Sequence, residues 1–184
     1  MRYPFPVVRK AIVMLLLAAA LPAAAQDKVP EKKASWPLSL ADGLPRELPG
    51  YTAAPTDPLP DTDENDMGIF TEVSRFFQRI ESPTVTRQFR LVVQDYGKEK
   101  DVETDLKKAM AEAATHQGVE VRDVILAGRK AFAVTDHTGV NPTTLVTVVV
   151  LPSRLVLAQG ANVDRDAALK LLTYVDLSRI AATK

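Results

Sequence analysis

The apolar positions of this chain change period along its length, and each change marks an element. Val85, Phe89, Leu91 and Val93 alternate with Thr86, Gln88, Arg90 and Gln94, a period of two that predicts a strand with one buried face. From Asp101 the period lengthens. Val102, Leu106, Ala109, Met110 and Ala113 share one helical face, acids occupy the first turn, and Gly118 follows the end. Residues 119–126, 130–136, 143–150 and 155–158 then read as four short strands, joined by the turn-like stretches AGRK, HTGVNP and LPSR. Three tight connections in succession favour an antiparallel meander. Asp164 caps a second helix whose apolar face is Ala167, Ala168, Leu171, Leu172 and Val175, and DLSRIAA adds a closing helical turn.

Two stretches need a further argument. Ile69, Val73, Phe76, Phe77 and Ile80 fall at helical spacing, yet ESP is a plausible hairpin turn into the strand that follows. Two aromatics and a valine suit a sheet, so the reading taken here is a strand. The most apolar passage beyond the N-terminus is LVTVVVLPSRLVLAQG, residues 145–160. Its first run is only as long as a typical strand, and Pro152 and Ser153 make a turn, so it predicts the central hairpin of the sheet rather than a membrane span. Unbroken apolarity in a strand implies cover on both faces. The expectation is that the two helices lie on one face and the stretch containing Trp36 to Leu48 on the other.

The ends and the composition then set limits. Residues 1–25 carry Arg2, Arg9 and Lys10 before AIVMLLLAAAL, then Pro22 and three alanines, the order of a secretory signal with cleavage expected after Ala25. The apolar run is too short for a permanent membrane anchor, so no transmembrane span is expected after cleavage. The expected location is therefore the periplasm or the exterior. The chain has no cysteine, which excludes thiolate metal sites, disulfides and lipid attachment through a thiol. Its 23 basic and 23 acidic residues balance, and loss of the signal turns that balance slightly acidic. A nucleic-acid binder would need a clustered basic excess, so none is expected. Pro30, Pro37, Pro45, Pro49, Pro55, Pro58 and Pro60 crowd into 26–60, each removing a donor and disfavouring helix before it. That segment is read as extended, its later leucines lying across a domain that occupies 61–184.

Candidate chemistry is sparse. DTDENDMGIFTE places Asp61, Asp63, Asn65 and Glu72 at positions one, three, five and twelve of a calcium-loop spacing, the hard oxygens calcium wants. The sixth position holds Asp66 instead of glycine, and the prolines before Asp61 bar an entering helix, so an acidic solvated turn is the plainer reading. Asp136 and His137 stand side by side near Thr135, Thr138, Ser153 and Ser178 as conceivable hydroxyls. Neighbours in a strand point to opposite faces, however, and no GxSxG surrounds any serine. His116, near a helix C-terminus, suits a structural role. Trp36 and Tyr51 lie in the irregular segment, where binding residues concentrate.

The order of elements, with the stretches RLVLAQG and YVDLSRIAA, resembles small exported α+β domains of the PsbP and Mog1-like type, over roughly residues 68–182. The resemblance implies an accessory or assembly role and carries over no catalytic residue. The expectation is a single α+β domain, an antiparallel sheet of about five to six strands with two helices packed on it. In function it is expected to be an exported, non-catalytic binding or accessory module with no cofactor, whose partner is another envelope protein. The alternative is a calcium- or metal-dependent protein or a small hydrolase using 61–72 or Asp136 with His137.

Overall fold

A computed structural model describes residues 40–54, 60–82, 85–97 and 100–183. The expected signal, its cleavage site and Trp36 lie outside the described residues. The strands are β1 (Thr52–Ala53), β2 (Asp61–Asn65), β3 (Gly68–Ser82), β4 (Val85–Asp95), β5 (Val119–Leu126), β6 (Arg129–Asp136), β7 (Thr143–Leu151) and β8 (Arg154–Ala161). The helices are α1 (Val102–Ala113), α2 (Arg165–Leu172) and α3 (Leu177–Ala182). All the strand pairs are antiparallel, in one sheet of order β1-β3-β4-β8-β7-β6-β5, with β2 beside β1 on the outer edge of β3. The hairpin read in 145–160 is β7 and β8, at the sheet's centre, and the ambiguous stretch 69–80 belongs to strand β3.

Among the described residues the sheet therefore has eight strands, and the expectation of five to six was too low. The two extra strands are β1 and β2, and neither carries the signal that reveals a strand. β1 has two residues, and in β2 every side chain but Asn65 is exposed, so no face is buried and no alternation of apolar and polar residues arises. A third helix, α3, also extends the closing turn, with Leu177 and Ile180 buried.

Cover of the two faces differs from expectation. On the first face, Val73, Phe77, Phe89, Leu91, Val146, Val148, Val156 and Ala158 pack with Ala168, Leu171 and Leu172 of α2, Leu177 and Ile180 of α3, and Leu44 and Leu48. On the second face, Val102 and Leu106 of α1 pack on Phe132 and Leu155, flanked by Met110, Val149 and Leu157. The helices thus lie on opposite faces, and the leucine segment shares a face with α2 and α3. The reason lies in the central strands. β6 and β8 bury apolar side chains on both sides, Ala131 beside Phe132 and Leu155 beside Val156, so each face needs its own helical cover.

Local chemistry sets the joints. Asp101, Asp164 and Asp176 cap the three helices, each carboxylate accepting a backbone N–H of the first turn. Ala127 and Gly128 both have positive φ, 50° and 75°, giving the mirror-image two-residue turn whose twist matches a β5–β6 hairpin. Lys107 and Lys130 both donate to Glu103, holding its carboxyl down at about 2 and tying α1 to β6. Gly43 meets α3 so closely that a Cβ there would stand 2.2 Å from Ile180 Cγ1, while its carbonyl accepts from Asp176 N at 2.9 Å.

Candidate functional site

The calcium-like spacing folds into the β2–β3 hairpin, not into a loop. Register pairs Asp61 with Glu72, so Asp61, Asp63, Asn65 and Glu72 project from one face but are strung along two strands. Asp61 Oδ1 and Asp63 Oδ1 each accept the next residue's N–H at 2.8 Å. Asn65 Oδ1 accepts Met67 N at 2.9 Å across the turn. Among the described residues no three His, Asp or Glu side chains are grouped so as to hold a metal.

Glu72 and Asn65 belong instead to a continuous hydrogen-bonded chain on the second sheet face. Asn65 Nδ2 donates to the Tyr96 hydroxyl at 2.8 Å, the hydroxyl donates to Gln94 Oε1 at 3.1 Å, and Gln94 Nε2 donates to Glu72 Oε2 at 3.1 Å. Arg90 Nη2 donates to Glu72 Oε1 and to Ser74 Oγ, the latter at 3.1 Å. Burial, opposed by the Asn65 hydrogen bond and assisted by the Glu72 charge, pushes the Tyr96 hydroxyl up to about 12. Each polar group in this low-dielectric patch fixes the next.

The chain ends at an apolar surface. Arg90 lies across the β3–β4 ladder from Phe76, its guanidinium 5.0 Å from the ring centre. Phe76 is 48% exposed and Ile80, four residues along the same face, is 70% exposed. Among the described residues α1 covers this face from β5 to β8, and no helix is found packed on Phe76 and Arg90. Arg90 Nε is buried with no hydrogen-bond partner among the described residues. At its tip the β3–β4 hairpin outruns the sheet: β8 pairs with β4 only from Gln88 onward, and the outer pairing of β3 stops at Gln78.

Asp136 and His137 do not form a relay. Asp136 Oδ1 accepts Thr138 N at 2.8 Å and Thr138 Oγ1 at 2.6 Å. His137 turns the other way, into a cleft of about 490 Å³ shared with Arg87, Arg122, Thr135, Thr144 and Arg165. Asp136, Thr138, Ser153 and Ser178 do not line that cleft. Its arginines are paired with Glu81, Glu120 and Asp166. His116 Nδ1 lies 3.0 Å from Glu112 O at the end of α1, in the structural position expected of it. Tyr51 is half-buried against the first-face core, its ring 6.4 Å from that of Phe89.

Sequence reasoning missed Phe76 with Arg90 and the network behind them. The available signal was Arg90 at a polar position of a strand, opposite an apolar residue, but the pairing needs the register of β3 on β4. The chain matches no protein-family model, no curated protein and no solved structure.

Proposed function

We propose that this is an exported, non-catalytic binding module that docks another protein of the cell envelope on the second sheet face, around Phe76 and Arg90. The observation that carries the reading is an exposed aromatic stacked under an arginine, the pair braced from behind by the Glu72, Gln94 and Tyr96 chain. A rigid aromatic and a guanidinium held in place are what interface hot spots are made of, because little side-chain entropy remains to be lost on docking. Ile80 extends the apolar surface toward the hairpin tip. Export rests on the N-terminal signal pattern, and the accessory role on the resemblance to PsbP and Mog1-like domains.

Support for binding over catalysis is that the polar groups of both candidate sites serve one another. Calcium at Asp61, Asp63, Asn65 and Glu72 would have to take Glu72 from Arg90 and the Asn65 side-chain oxygen from the Met67 N–H. Hydrolysis at Asp136 and His137 would need two side chains on opposite faces to converge. Affinity capture from an envelope extract tests the reading, using the full chain, Phe76→Ser and, as a control on the opposite face, Lys170→Ser. The reading expects a protein held by the wild type and Lys170→Ser and lost with Phe76→Ser. Equal capture by all three rejects this surface, and no capture by the wild type rejects the binding role.

A further inference from the structure

The second exposed feature is an edge. β5 ends the sheet, and among the described residues no strand pairs with its outer side. Which of its backbone groups face outward follows from the ladder. The two-residue turn at Ala127 and Gly128 closes on the pair Leu126 and Arg129, and His137 N donates to Gly118 O at 2.8 Å at the other end. In an antiparallel ladder hydrogen-bonded pairs alternate with open ones, so the even-numbered residues of β5 bond to β6. Val121, Asp123 and Ile125 therefore turn their N–H and C=O groups outward. Val119 agrees with this, since its N–H turns away from β6 to His116 O at 3.2 Å.

An open edge of eight residues is an invitation to any extended chain, and Glu120, Arg122 and Asp123 are the kind of charges that discourage it. Those charges also match a second copy of the same strand. If a second copy of β5 joins by a two-fold axis normal to the sheet, residues opposite one another must project to the same face. Centring that axis on Arg122 sets Arg122 against its counterpart, and centring it on Asp123 sets two aspartates together. Centring it on Val121 sets Glu120 against Arg122 of the second copy, and Arg122 against Glu120. It also makes the Val121 pair a hydrogen-bonded one, so the charges occupy the flanking open positions, where side chains approach most closely.

The second face supports the same register. Beside β5 a cleft of about 550 Å³ runs between it and α1, lined by Met110, Ala111, Ala114, Val121 and Ile125 among others. Ile125 is 71% exposed. A two-fold axis at Val121, normal to the sheet, sets the two copies of this lining on the same side of the joined sheet. Glu120 and Arg122 already pair within one chain, but both are well exposed, so exchanging that contact for one across the interface costs little.

We infer that the chain forms a homodimer by antiparallel pairing of β5 with β5 about Val121, with Glu120 of each copy facing Arg122 of the other. The surface is distinct from the one around Phe76. The test is light scattering and sedimentation of the full chain, alone and as charge variants. The wild type is expected to be a dimer. Glu120→Arg and Arg122→Glu each set like charges opposite one another and should raise the dissociation constant about tenfold. An equimolar mixture of the two variants restores opposite charges at both positions and should recover dimers, exclusively mixed ones. Phe76→Ser should leave the assembly untouched. A wild type that stays monomeric, or association that neither variant weakens, or a mixture no tighter than its components, would each overturn the inference.

Discussion

Arg90 stands over Phe76 at cross-strand positions of β3 and β4, and the same guanidinium holds Glu72 from the other side. One residue thus joins an exposed apolar surface to a buried polar chain, and the two partners of Arg90 should respond differently to mutation. Phe76→Ser removes a half-exposed ring and should change stability by under about 1 kcal/mol, since surface substitutions away from special features cost little. Arg90→Ala strands Glu72 in a partly buried site and should cost about 1–3 kcal/mol. Urea unfolding of both variants checks the contrast. Equal losses would mean that Phe76 is structural and not a contact surface.

Tyr96 carries a pH signature. The folded chain keeps its hydroxyl protonated to about 12, while the ordinary value is 10.0. Between those values the unfolded chain has already released this proton and the folded chain has not, so stability falls as pH rises. The contribution is fully present below 10.0 and is lost as pH rises through about 12. Tyr96→Phe should flatten that alkaline limb in unfolding midpoints measured against pH, and should cost about 1–2 kcal/mol at neutral pH by leaving Asn65 and Gln94 short of a partner. An unchanged alkaline slope would remove Tyr96 from the network.

Arg154 is the joint between the sheet and the C-terminus. Buried at 6% exposure, it donates through Nε to Asp95 Oδ2 at 3.0 Å and through Nη1 to Ile180 O at 2.5 Å and Thr183 O at 3.0 Å. Those carbonyls belong to the end of α3, which has no intrahelical donors left for them. Arg154→Ala should cost about 3 kcal/mol, because it takes the guanidinium from the partly buried Asp95 carboxylate and the donors from the carbonyls at the end of α3. Amide exchange should show α3 opening before the sheet does. Uniform loss of protection would contradict this account of the joint.

Gly43 tests whether the proline-rich segment is integral to the fold. A methyl group there would collide with Ile180, so Gly43→Ala should cost about 1–3 kcal/mol and loosen the packing of Leu44 and Leu48. A melting temperature equal to that of the wild type would show that α3 and this segment part easily.

Legibility in the sequence followed burial. β4, β7, β8 and the faces of α1 and α2 were readable because their apolar residues alternate or recur with the period of the element that buries them. β2 was not, since DTDEN buries no face and its strand character comes wholly from pairing with β3. The split of helices across two faces was half legible: the apolarity of VTVVV and LVL demanded two covers, but which element supplied each depends on the path of the chain from β4 to the far edge. The spacing of Asp61, Asp63, Asn65 and Glu72 was legible as a motif, yet spacing says nothing of register, and the register gives Glu72 to Arg90. Phe76 was visible only as one of two adjacent aromatics in a stretch read as a strand. That it faces outward follows from the alternate placement of Phe77 inside, at 2% exposure.

The central claim is tested most directly by a photo-crosslinking residue at position 76 in the full chain, irradiated in cells, with position 170 on the opposite face as control. The account predicts a discrete adduct between this protein and one other envelope protein from position 76, and none from position 170. No adduct from position 76, or the same adducts from both positions, would contradict it.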